Sequence, residues 1–280
     1  MGDVNTVVAE EGAISDDRSL NTPYPVTEEQ IRNLHEKSWT PLPGLLSKET
    51  VTEIRDLLLA IPDRGFLSGP DSPDIDSSQL MLHDGTSFHN PKMMEFVTSP
   101  RITSAAVALM KVPEALLVQD ISFFKPINSM EVPWHQDFSF WPFDRWGNLS
   151  IWIALEDMDD DMGVLRYIEG SHREGPLGFI EVDRDIRDIN PQLRGMKEAG
   201  GKALKAGDAQ AHWDITVHGS AVNTGKARRS ALSVRFHRPD AIYNGIAHPH
   251  YDQFGMKPGD RFGKCPAFPH VGRNGVIKPS

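Results

Sequence analysis

Over the first 110 residues, apolar side chains return every three or four positions. The segment "TEEQIRNLHEKSW" sets Ile31 and Leu34 on one stripe behind Thr27 and Gln30, which have the spacing of a capping box. In "SKETVTEIRDLLLAI", Val51, Ile54 and Leu58 line up, and "SPRITSAAVALM" opens with Pro100 at a first-turn position before Ile102, Ala105, Ala106 and Leu109. These spacings predict three helices whose apolar stripes another layer must cover. From residue 116 the period shortens to two. Leu117, Ile121 and Phe123 fall on one side of "LLVQDISFFK", and Ile151, Ile153 and Leu155 on one side of "LSIWIAL". In "RSALSVRF", Leu232, Val234 and Phe236 oppose Arg229, Ala231, Ser233 and Arg235. Helices followed by many short strands between Gly, Pro and Asp turns predict a mainly β sandwich or barrel with flanking helices.

Two stretches lack either period. Residues 240–280 are rich in Gly and Pro and carry His248, His250 and His270, so a coil wrapping the surface with solvated histidines is expected. The run Glu156, Asp157, Asp159, Asp160, Asp161 ends at Gly163 and reads as a solvated turn, since a calcium loop would space its ligands more regularly. His83 and His89 in "MLHDGTSFHN" are expected at the surface.

Composition narrows the picture. A chain of 280 residues that is 39% hydrophobic can bury a sizeable core, and one globular unit over 22–280 is expected behind a flexible polar leader at 1–21. With 39 acidic and 29 basic residues the formal charge is -10, the wrong sign for nucleic acid. A single cysteine, Cys265, rules out an intrachain disulfide and a thiolate zinc site, and fits a cytoplasmic setting. No apolar run approaches the roughly 18 residues of a membrane span, and the leader lacks the apolar region of an export signal.

Candidate chemistry concentrates in "WHQDFSFW", residues 134–141. On an extended strand His135 and Asp137 point one way and Gln136 the other. A His and a carboxylate from one strand, joined by a second His from elsewhere, make the facial triad that holds Fe(II) and leaves coordination positions open. The segment "AGDAQAHWDITVHGSAVNTG" offers His212 and His218 for that role. Arg229 follows His218 by eleven residues, and an antiparallel return through the Gly219 to Gly225 turn would bring its guanidinium beside the site, suited to a two-pronged grip on a carboxylate. Phe138, Phe140 and Trp141 are candidate substrate contacts or lid residues, against the plainer reading of strand aromatics as core.

Four segments in order, "VPWHQDFSFW", "IWIALEDMDDDMGVLRYIEGSH", "GDAQAHWDITVHGSAVNTG" and "RRSALSVRF", resemble successive signatures of the phytanoyl-CoA dioxygenase family of Fe(II)- and 2-oxoglutarate-dependent oxygenases. The similarity runs over about residues 27–240. It implies a double-stranded β-helix, the cupin-like jelly-roll, with His135, Asp137 and His218 as iron ligands. It places Arg229 on the far carboxylate of 2-oxoglutarate, makes Lys125 in "FFKPINS" a second partner, and makes Trp152 an inward aromatic beside a cavity left by Ser150 and Ala154. His212 is then structural. The implied reaction consumes 2-oxoglutarate and O2, releases succinate and CO2, and oxidises, most simply hydroxylates, an unactivated carbon of a small organic molecule. Asp137 argues against a halogenase, which needs a small residue there. The chain departs from the family at Met162-Gly163, where Asn-Gly is common, and at Glu169 before Gly170-Ser171-His172, where Pro is common. Neither position is an implied ligand.

Two further readings stand beside this one. A zinc-dependent hydrolase could use the same His-Asp-His set with a water and would not need Arg229. A noncatalytic jelly-roll binding module would release no succinate. The expected partner is a small molecule of secondary metabolism or catabolism; a homodimer is compatible with the chain.

Overall fold

A computed structural model describes residues 18–61, 80–181 and 183–277, so all but the last four residues of the expected leader lie outside it. Four main helices precede or interrupt the early strands: α1 (Glu28–Lys37), α2 (Lys48–Leu59), α3 (Pro91–Val97) and α4 (Pro100–Met110). The Thr27 hydroxyl accepts from the Gln30 amide and the Gln30 side chain accepts from the Thr27 amide, so the capping box closes as expected. Helix α3 has only seven residues and no readable period; Asn90 caps it, and Pro91 fixes its first turn. Among the described residues no helix is long and apolar enough to cross a membrane.

Among the described residues twelve strands form two antiparallel sheets: β1 (Trp39–Leu42), β2 (Met81–Asp84), β3 (Ala115–Lys125), β4 (Val132–His135), β5 (Leu149–Ala154), β6 (Leu165–Ile168), β7 (Glu198–Gly200), β8 (Ala209–Trp213), β9 (His218–Ser220), β10 (Arg229–His237), β11 (His270–Gly272) and β12 (Gly275–Val276). The larger sheet runs β1-β8-β5-β10-β3-β11-β12, with β2 also paired to β3, and the smaller runs β4-β9-β6-β7. This is the expected jelly-roll. The alternation along β10 sorts its side chains into two layers. Leu232, Val234 and Phe236 pack outward with Ile31, Leu34, Val51, Ile54, Leu58, Ile102, Ala105, Ala106 and Leu109 of the helices. Ala231 packs inward with Trp152, Ala154 and Tyr167. Burial of each large aliphatic here contributes about 1.5–3 kcal/mol.

Three expectations need correction. Leu117 does not share a face with Phe123: the β3–β10 pairing passes from Gln119 opposite Arg235 to Leu117 opposite Phe236, so a bulge at Val118 reverses the parity. Leu117 lies with the helices, and Phe123 packs inside. The C-terminal segment is no surface coil. Tyr243, Tyr251, Phe262 and Phe268 form a buried cluster with Trp141, Phe143, Leu116 and Val118, and β11 extends the larger sheet. His248 and His250 are buried in it; His83 on β2, expected at the surface, is buried against Phe124, whereas His89 is exposed as expected. These aromatics recur without a period because tertiary contacts with the barrel, not a local face, bury them.

Candidate active site

His135 closes β4, and Asp137 begins a single 3-10 turn over Asp137–Phe140, so the expected strand ends two residues early. Gln136 still faces away, its amide donating to the carbonyls of Ile215 at 2.7 Å and Gly175 at 3.0 Å. Across the small sheet His135 stands opposite His218, with ring centroids 4.4 Å apart. Each ring uses its Nδ1 on a backbone carbonyl two residues back: His135 on Pro133 at 2.8 Å, His218 on Thr216 at 2.9 Å. That fixes the tautomer and leaves both Nε2 atoms as acceptors. They point at Asp137 Oδ1, at 3.6 Å and 3.9 Å. One ligating atom from each of the three residues lies within 4.8 Å of the others.

The electrostatics suit a cation. Burial, followed by the neighbouring His135 and His212 rings, holds His218 well below its ordinary value, so it is neutral and its lone pair is free. Burial alone would raise the Asp137 carboxyl, but the Arg235 guanidinium outweighs it and keeps the group ionised. Two imidazoles and one carboxylate are the donor set of the iron facial triad.

On the inner face of the larger sheet, Lys125 and Arg229 are cross-strand partners, both fully buried. The Lys125 ammonium donates to Ser220 Oγ at 2.8 Å, and Arg229 donates to the same oxygen at 3.3 Å and to the Gly163 carbonyl at 3.1 Å. The Trp152 ring lies 5.2 Å from the Arg229 guanidinium. Among the described residues neither cation makes an ion pair. Burial, then the Arg229 charge, pushes Lys125 down to about 7, and burial pushes Arg229 down to about 10. Two buried cations side by side are costly unless an anion compensates them, and a dicarboxylate fits. Gly163 is needed for the close approach: its φ is +70° and a Cβ there would lie 2.6 Å from the Ala221 carbonyl oxygen.

Arg229 does not arrive by a hairpin, because β9 and β10 belong to different sheets and the chain between them crosses the barrel. Ser220, on the same face of β9 as His218, closes the gap. Of the aromatic candidates, Phe140 sits against the His135 ring at 6.3 Å and the exposed Phe179 at 5.5 Å. Phe138 packs between the helix-side core and the C-terminal cluster, and Trp141 is buried under Arg235. His212 lies behind the triad, its Nε2 3.9 Å from Asp137 Oδ2. Arg235 shares the inward face with Arg229, and the sequence pattern gives it no site role of its own. It donates to Asp137 Oδ2 at 3.3 Å and to Gln119 Oε1 at 2.8 Å. The alternation in "RSALSVRF" already put it on that inward face.

A family model described as phytanoyl-CoA dioxygenase matches residues 39–231. The chain is similar to L-proline trans-4-hydroxylase of Streptomyces griseoviridis, 25% identical over 237 residues that cover 75% of this chain and 85% of that protein. It is 32% identical to phytanoyl-CoA dioxygenase of Arabidopsis thaliana over 179 residues, 62% of this chain and 61% of that one. Among solved structures, the non-heme alpha ketoglutarate dependent carbocyclase SnoK from nogalamycin biosynthesis superposes with a TM-score of 0.74 at 24% identity, over 88% of this chain and 96% of SnoK.

Proposed function

This chain belongs to the phytanoyl-CoA dioxygenase family of Fe(II)- and 2-oxoglutarate-dependent oxygenases, and on that premise we propose that His135, Asp137 and His218 bind the iron, that Arg229 and Lys125 hold the distal carboxylate of 2-oxoglutarate, and that the enzyme hydroxylates an unactivated carbon of a small organic molecule. The observation that carries the reading is a pair of buried cations that, among the described residues, has no ion-pair partner and lies one serine away from a three-ligand cluster. A zinc hydrolase has no use for that pair. A noncatalytic module has no use for either feature.

Iron held by His135, Asp137 and His218 would, with 2-oxoglutarate and O2, supply the oxidising power, the cosubstrate being converted to succinate and CO2. The chain's own groups prepare the place for it. Pro133 and Thr216 carbonyls fix the tautomers of the two imidazoles and aim their Nε2 atoms at the cluster. Arg229 and Lys125 orient the cosubstrate and compensate its charge. Trp152 walls the cosubstrate side, while Phe140 borders the substrate and, with Phe179, screens His135 from water; Phe138, packed between two core clusters, supports that wall from behind. The apolar rim and the chain's net charge of -10 favour a neutral or cationic small molecule over a polyanion such as an acyl-CoA. The proline hydroxylase and the carbocyclase likewise favour small metabolites. We read residues 22–280 as one catalytic unit, working in the cytoplasm, because the C-terminal segment packs into the end of the barrel and the chain has one cysteine.

The test is an anaerobic titration of the metal-free protein with Fe(II) and then 2-oxoglutarate, followed by a screen of small molecules for coupled succinate release. A weak visible charge-transfer band that needs both additions supports the proposal. Substrate turnover with zinc and without 2-oxoglutarate overturns it.

A further inference from the structure

The carboxylate of Asp137 has its two oxygens in different company. Oδ1 faces the Nε2 atoms of His135 and His218. Oδ2 accepts from Arg235 Nη2 at 3.3 Å and faces His212 Nε2 at 3.9 Å. We propose that Arg235 is a positioning residue that holds Asp137 as a one-oxygen ligand, with Gln119 and Asp84 bracing the guanidinium from behind. This rests on the oxygenase reading above and concerns how its metal site is kept open.

The brace is built into the sheet. Arg235 Nη1 donates to Gln119 Oε1 at 2.8 Å, and Gln119 Nε2 donates to Asp84 Oδ1 at 2.8 Å. The four residues thus form one line, Asp137–Arg235–Gln119–Asp84, across neighbouring strands β10, β3 and β2. The guanidinium also lies over the Trp141 ring, 4.3 Å from its centroid, which removes its remaining freedom. Both ends of the guanidinium fork are therefore committed, and its direction is not free to adapt to Asp137; Asp137 adapts to it.

The consequence follows from coordination arithmetic. A carboxylate can bind through one oxygen or chelate through both. In a facial triad three positions stay open, and 2-oxoglutarate with O2 needs all three. A chelating Asp137 would take one of them. With Oδ2 engaged by Arg235, chelation would require breaking a buried charge-assisted hydrogen bond. A salt bridge with only a structural role would stabilise the fold but leave the occupied metal site indifferent to its geometry.

The test uses Arg235→Lys, which keeps the charge but cannot fork to Gln119 and Asp137 together, and Gln119→Met, which keeps the ion pair but removes the brace. Gln119→Met keeps the experiment open if the lysine variant does not fold. Arg228→Lys, at an exposed position over Phe124, is the control. Co(II) affinity and the absorption of the Co(II) protein with and without 2-oxoglutarate are measured, together with the anaerobic Fe(II)–2-oxoglutarate band. We expect Co(II) affinity to change by about 10- to 100-fold in both variants, with an altered Co(II) spectrum and a weakened or shifted Fe(II) band, and no change in the control. Variants that lose only thermal stability while keeping the wild-type affinity and spectra would overturn the inference. A wild-type protein without any Fe(II)–2-oxoglutarate band would instead overturn the functional reading itself, and this inference with it.

Discussion

Arg229 and Arg235 lie on one inward face of β10, six residues or about 20 Å apart, and are 2% and 5% exposed. Their surroundings differ. Arg235 meets a carboxylate that belongs to the fold, Asp137, and rests on Gln119 and Trp141. Arg229 meets a serine hydroxyl and a carbonyl, and its cross-strand partner is another cation, Lys125. Since burying an uncompensated cation is unfavourable, the Arg229 end is a charge the fold does not itself neutralise, and the Arg235 end is a charge it does. On the function proposed above, one end of the strand serves a ligand and the other a side chain of the protein.

The strongest way to break this comparison is to remove the acid from the Arg235 end. Asp137→Ala takes away the only carboxylate of the cluster and leaves Arg235 buried without its partner. We expect iron binding and succinate release to fall to background, and urea unfolding of the metal-free variant to register a loss of about 3–5 kcal/mol. Retention of iron-dependent succinate release would show that the cluster is not the metal site.

The two arginines should also respond with opposite signs. In the metal-free protein Arg235→Met is expected to destabilise by about 3–5 kcal/mol, because Asp137 is stranded, while Arg229→Met is expected to be neutral or stabilising. In the loaded enzyme the order reverses for the cosubstrate. A charge-assisted bond of about 1.5–3 kcal/mol corresponds to a rise of about 10- to 150-fold in the KM for 2-oxoglutarate on Arg229→Met, against no more than about twofold for Arg228→Met. Equal destabilisation by the two substitutions would erase the distinction.

Lys125 makes the Arg229 end sensitive to pH. Its pKa is pushed from 10.5 to about 7 by burial and then by Arg229. Between about pH 7 and 10.5 the unfolded chain carries a proton on Lys125 that the folded, cosubstrate-free chain does not, so stability rises with pH across this window and the full cost is present below it. A dicarboxylate needs the protonated lysine. The affinity for 2-oxoglutarate should therefore fall as pH rises above about 7, by up to about tenfold per unit, and Lys125→Met should flatten the profile. Calorimetric titration at several pH values measures both.

Much of this arrangement was legible in the chain, for reasons that differ by element. Helices α1 and α2 pair an apolar stripe with a side-chain cap, and α4 pairs a longer stripe with Pro100 in its first turn, so they could be read directly; α3 is too short for a period. The strand alternation put Arg229 and Arg235 on one face, yet it could not say what either meets, since Asp137 lies 98 positions from Arg235 in the chain. The bulge at Val118 that reverses Leu117 leaves no mark in the local pattern. His135 and Asp137 are two residues apart and visible to the eye, whereas His218 needed the family resemblance to prefer it over His212. The C-terminal aromatics and histidines are buried by contacts with the barrel's end, information that no window of sequence contains.

The smallest effect tests whether the two functions of the barrel are separable. Ser220 Oγ accepts from Lys125 and Arg229 and donates to the Gly163 carbonyl at 2.9 Å, while two residues earlier His218 faces the metal cluster. Ser220→Ala removes the shared acceptor but leaves both cations, and His218 keeps its own anchor on the Thr216 carbonyl. Losing a hydrogen bond of about 0.5–1.5 kcal/mol should raise the KM for 2-oxoglutarate by about 2- to 10-fold and leave metal affinity and kcat near wild type. Steady-state kinetics beside a Co(II) titration reads both. If metal affinity weakened as much as the cosubstrate's, β9 would transmit strain from one half-site to the other, and the cation end and the metal end would have to be treated as one coupled site.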